Sequence, residues 1–152
     1  MKKIFAIVLT FALLASLTVT AFAANTTGGK ADITTSIAPT YTVTIPADVN
    51  VAFNATETAF GTIEVAASQI HPDKCIKVAL ATDNELNNAI DNTKVIPYAI
   101  KDSEGAAFTA ATYLTEGDKT ELSIHITADD WNAAYAGDYS DTVTFTVSYE
   151  DK

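Results

Sequence analysis

Arginine is absent from this chain, and cysteine, methionine and tryptophan occur once each. Without a guanidinium group no planar, bidentate clamp for phosphate or carboxylate can be built. The lone Cys75 excludes an intrachain disulfide, so packing alone must supply stability. Two histidines, His71 and His125, leave little material for general-base chemistry or a nitrogen-rich metal site. Four Pro and six Gly are too few for a collagen-like or linker-like chain. Positive charge is scarce as well. Nine Lys against 19 acids give a net −10 over 152 residues, which repels nucleic acid and anionic lipid. What is present in quantity is apolar: 48 % of the residues are hydrophobic, enough for one packed core.

The apolar residues come first as a block. Met1-Lys2-Lys3 precedes the run Ile4 to Leu17, and small residues follow to Ala21-Phe22-Ala23. A positive start, an apolar core of about 7–15 residues and an A-x-A site make a secretory signal peptide. The run falls short of the ~20 residues that span a bilayer. Cleavage is expected after Ala23, leaving a secreted chain with no membrane segment. Seven Lys against 19 acids then give −12. Residues 24–30 read as a flexible leader and 31–152 as a single domain. The C-terminus carries no sorting motif, so an extracellular product is expected, and its own surface decides whether it diffuses away or is built into something.

Beyond the leader the apolar residues alternate with polar ones, the signature of half-buried strands. Ile33 and Ile37 suggest a weak first strand ending at Pro39. Tyr41, Val43 and Ile45 follow, stopped by Pro46; then Val49 to Phe53, Ile63 to Ala67, Ile76 to Leu80, Ile96 to Ile100, Leu122 to Ile126 and Val143 to Tyr149. Pro97 lacks an amide donor, so its strand belongs at an edge or a bulge. Asp83 to Asn92 reads as a loop and Asp102-Ser103-Glu104-Gly105 as a turn. Only Thr127 to Tyr135 breaks the pattern. Thr127 caps a short helical turn with Asp129 and Asp130 at its start, Gly137 ends it, and Trp131 plugs one end of the core. Seven or eight strands with so little helix predict an immunoglobulin-like antiparallel β-sandwich whose core includes Trp131, Val143, Phe145, Val147 and Tyr149.

Reactive constellations are thin. His125 lies between Ile124 and Ile126 and should face solvent. His71 and Cys75 have H-x-x-x-C spacing, two ligands where zinc needs four. Asp129, Asp130, Asp138 and Asp141 could gather as weak calcium candidates at one end of the sandwich, though without EF-hand spacing. No phosphate loop, dinucleotide fingerprint or nucleophile elbow occurs in the sequence. No enzyme activity and no cofactor is expected.

The stretch Ala136-Gly137-Asp138-Tyr139-Ser140-Asp141-Thr142-Val143-Thr144-Phe145-Thr146-Val147-Ser148-Tyr149 resembles the closing strand of fimbrial subunits and of spore coat protein U type domains. Tyr41-Thr42-Val43-Thr44-Ile45-Pro46 is similar to small secreted sandwich proteins of Gram-positive bacteria. The resemblance implies an extracellular structural or adhesive subunit that self-associates by strand donation. Residues 24–37, carrying Ile33 and Ile37, are the candidate donor; the alternative is that these two pair with their own sheet. A second class of function, a carbohydrate- or protein-binding module, would need outward aromatic platforms, for which Phe108, Tyr113 and Tyr135 are the candidates.

Overall fold

The computed structural model describes residues 32–152, together with residue 30 and the backbone of residues 8–11. The strands are β1 (Val8–Phe11), β2 (Thr40–Thr44), β3 (Glu57–Gln69), β4 (Lys74–Ala81), β5 (Glu85–Asn88), β6 (Val95–Pro97), β7 (Ala99–Asp102), β8 (Ala110–Tyr113), β9 (Lys119–His125), β10 (Tyr139–Ser140) and β11 (Thr144–Asp151). One helix, α1 (Ala128–Ala133), sits between β9 and β10. Every ladder is antiparallel. The long layer runs β1-β2-β3-β9-β7; the other layer is built from β11-β4-β8 and β10-β5-β6. This is the expected all-β, sandwich-like fold.

Strands outnumber the seven or eight expected because several apolar runs bend. Val95 to Asp102 is interrupted at Tyr98, which lets β6 pair with β5 while β7 crosses to β9 in the other layer. β4 and β5 are likewise separated by Thr82 to Asn84, where Asn84 has a φ of 61°. On the neighbouring strand, β10 and β11 break at Asp141 to Val143. The two breaks lie side by side and are joined by side chains. Thr82 Oγ1 is 2.7 Å from the Tyr98 hydroxyl and donates to Asp141 Oδ2 at 3.0 Å, while Tyr98 also donates to Asp141. Pro97 ends β6 at the outer edge of its sheet, where a missing amide removes no ladder bond.

β3 shows how a register shift fits a mixed pattern to one core. Phe60 and Ile63 have opposite parity, yet both pack inward because a bulge between Ala59 and Gly61 adds one residue. Gly61 has a φ of 139°, and a Cβ there would lie 3.1 Å from Pro46 Cβ. A side chain at position 61 would therefore be strained and crowded. A second register shift, where β3 meets β2 between Thr42 and Val43, adds Ala66 and leaves Ala67, expected to face inward, on the exposed side.

The core is formed by Val43, Ile63, Val65, Ile76, Val78, Ile96, Tyr98, Ile100, Phe108, Tyr113, Leu122, Ile124 and Ile126. α1 forms where the Thr127 side chain accepts from the Asp130 amide at 3.1 Å, with Asp129 and Asp130 in the first turn. It ends at Ala134, three residues before Gly137. Three expected extents are corrected. Residues 32–39 form no strand, and neither do 49–53, where Phe53 instead packs edge-on against Trp131 at 5.6 Å. The loop expected over 83–92 contains β5, whose sequence Glu-Leu-Asn-Asn has too little alternation to signal a strand.

Candidate assembly edges

The side chains singled out as reactive are dispersed. Among the described residues, no group of three or more His, Cys, Asp or Glu is arranged to hold a metal ion. Asp130 accepts from Thr127 Oγ1 at 2.5 Å, and Asp141 is engaged by Thr82 and Tyr98. Asp129 and Asp138 do not join them in a cluster. His71 sits in an exposed turn, its backbone N–H donating to the Tyr149 hydroxyl at 2.9 Å and its ring 3.7 Å from Asp73. His125 lies on the solvent side of β9, 2.9 Å from Ser123 Oγ and 3.9 Å from Glu57. Cys75 is buried at 4 % exposure with Sγ 3.7 Å from the carbonyls of Glu150 and Asp151. A shallow depression of about 390 Å³ beside it is lined by Lys77, Thr112, Leu114 and Glu150.

Two of the three aromatic platforms considered for a sugar site are withdrawn. Phe108 and Tyr113 belong to the buried core, and the Tyr113 hydroxyl donates to Thr120 Oγ1 at 2.9 Å. Only Tyr135 is exposed, at 63 %, with Lys94 Nζ 5.0 Å from its ring centroid. A single aromatic ring is not a stacking row.

What the fold does present is edges. β11 closes one side of its sheet and, among the described residues, has β4 as its one strand neighbour. Phe145 and Val147 pack on the core from this edge but stay half-buried, as does Val143 just before the strand. Tyr149 meets Tyr41 across the layers at 5.9 Å, and Phe145 meets Phe60 at 6.0 Å. The apolar face of β4, one strand further in, is fully buried at Ile76 and Val78. Inward residues of β11 are thus less covered than those of its inner neighbour, as an edge strand lacks cover on one side. Trp131 is also half-buried, its Nε1 donating to the Ala55 carbonyl at 2.9 Å.

On the same side of the sandwich, β2 has β1 as its outer neighbour, with Leu9 opposite Val43 and Phe11 opposite Tyr41. These four residues of β1 belong to the segment read as a signal peptide; the cleavage site at Ala21 to Ala23 and most of the 24–30 leader lie outside the described residues. Between them and β2, Ile33 is 99 % exposed and Ile37 is 68 % exposed, in chain that pairs with no strand among the described residues. Sequence alternation had marked both as strand-like; nothing local revealed that their own sheet leaves them unpaired.

No protein-family model matches the chain, and no curated protein matches it either.

Proposed function

We propose that this protein is a secreted, non-enzymatic structural or adhesive subunit of the bacterial cell surface, assembling through sheet edges by strand donation. The observation that carries the reading is the exposure of Ile33 and Ile37, at 99 % and 68 %, in unpaired chain immediately before β2. Two isoleucines four residues apart lie on one face of an extended segment, and exposed together they cost hydrophobic free energy that docking on another chain would recover. An open sheet edge accepts such a segment through main-chain hydrogen bonds, with side chains filling alternate pockets. The outer side of β2 is a suitable acceptor. It already carries an antiparallel strand, β1, and loss of residues 1–23 at the expected cleavage site would vacate it.

The resemblance of the closing strand to fimbrial and spore coat protein U type domains points the same way. Deleting residues 24–37 tests the reading. Loss of polymers with an unchanged melting transition supports donation. Unfolding on deletion would mean that the segment completes its own sheet, and unchanged polymers would mean that it takes no part.

A further inference from the structure

We infer that the outer edge of β11 is a self-pairing surface, on which β11 of a second copy docks antiparallel about a two-fold axis through Val147. This inference is independent of the donor segment. Natural sheets protect their edges with short strands, prolines, lysines, bulges or a covering element. The other terminal strands here use these devices. β6 has three residues and ends in Pro97, β7 has four and contains Lys101, β8 has four, and β10 has two. β2 is flanked by Pro39 and Pro46, and its ladder with β3 shifts register between Thr42 and Val43. β11 is eight residues long, pairs with β4 in unbroken register from Thr144 to Asp151, and contains no proline or lysine.

Its sequence is also complementary to itself. In an antiparallel pair, directly opposed residues share a face, so a two-fold axis must pass through a residue position for inward faces to coincide. With Val147 opposite its own copy, Phe145 stands opposite Tyr149, and all three sit on the core-facing side. On the solvent side Thr146 falls opposite Ser148, and Glu150 opposite Thr144. Asp151 falls opposite Val143. No acid opposes an acid, although the chain carries 19 of them. Moving the axis by one residue, to Thr146 or to Ser148, puts a hydroxyl residue on the axis and leaves both Phe145 and Tyr149 without an aromatic partner. Aromatic and β-branched cross-strand pairs are among the stabilising ones. The partner is therefore a second copy, and the half-buried Phe145, Val147 and Tyr149 gain the flank that they lack in the single chain.

The test is sedimentation of the purified protein beside a charge-swap pair. Thr146 is exposed and Ser148 half-exposed on the outer face, so Thr146→Lys/Ser148→Lys leaves the core untouched. It sets lysine opposite lysine at both flanking positions, and pairing should weaken by about tenfold or more. Thr146→Glu/Ser148→Glu should do the same. An equimolar mixture of the two variants, each a monomer alone, should recover a dimer, because every like-charge opposition becomes an ion pair. A wild-type protein that stays monomeric overturns the inference, as does a dimer indifferent to both variants, or a mixture that fails to pair. Loss of the dimer on deletion of residues 32–38 would also overturn it, since that segment would then be the occupant of the edge.

Discussion

Gly137 lies so close to Asn88 that a Cβ at position 137 would come within 2.5 Å of Asn88 Nδ2. The contact fixes the turn after α1 against the end of β5. Asn88 is the buried polar residue there, and its Oδ1 accepts from the amides of Ile90 at 2.9 Å and Asp91 at 3.1 Å. Gly137 also has a φ of 150°, a conformation that side-chain-bearing residues rarely adopt. Gly137→Ala should therefore lower stability by about 2 kcal/mol or more, combining strain with displacement of Asn88. Asn88→Ala should cost about 1–3 kcal/mol by leaving two amides short of an acceptor. Urea denaturation followed by circular dichroism measures both.

Trp131 supplies its own reporter, being the sole tryptophan. Its indole N–H bond to Ala55 and its edge-on contact with Phe53 tie α1 to the 49–55 segment. Trp131→Phe keeps much of the apolar area and loses the hydrogen bond, so about 1 kcal/mol is the expected loss. Phe53→Ala should shift the emission of Trp131 to longer wavelength as water reaches the ring. Unchanged emission would place Phe53 outside the tryptophan's environment.

Alkaline pH should unfold the protein through Tyr98. Burial, and next its hydrogen bond to the Asp141 carboxylate, raise the phenol above its ordinary value of 10.0. The folded state thus holds this proton more tightly than the unfolded state. Stability from this group is complete below pH 10 and declines as pH rises beyond that value. Tyr98→Phe should remove this alkaline decline while costing about 1–3 kcal/mol at neutral pH, since Asp141 loses a donor. On the acid side, Asp118 is held below its ordinary value by the amides of Leu114 and Thr115 and by the Thr115 hydroxyl. Its contribution is present above the ordinary carboxylate value of 3.8 and fades as pH falls below it. Thermal melts across pH for wild type, Tyr98→Phe and Asp118→Asn should separate the two limbs.

Cys75 should resist alkylation in the folded protein and react promptly in denaturant, because its thiol is buried beneath the end of β11. A non-reducing gel should show no disulfide-linked dimer. Prompt modification under native conditions would mean that the β11 end opens readily.

The main strands were legible because each carries one apolar and one polar face, as in Ile76, Val78 and Leu80 or Phe145, Val147 and Tyr149. The helix was legible from Thr127 and the acids after it. What escaped was whatever tertiary pairing decides. β5 and β10 have almost no alternation and exist because they lie beside each other, with Tyr139 opposite Asn88. The break at Tyr98 is invisible in the run Val95 to Asp102, since both halves alternate normally. The two edges were partly legible: alternation marks Phe145, Val147, Ile33 and Ile37 as apolar faces. Whether a face is covered depends on which strand ends a sheet, and spacing along the chain does not contain that.

Electron microscopy of the purified protein, cut after Ala23 and compared with a form lacking residues 24–37, addresses assembly through edges most directly. Ordered polymers are expected from the first and dispersed, folded particles from the second. Particles of single-subunit size from both, at concentrations where an edge contact should be filled, would contradict a role built on assembly.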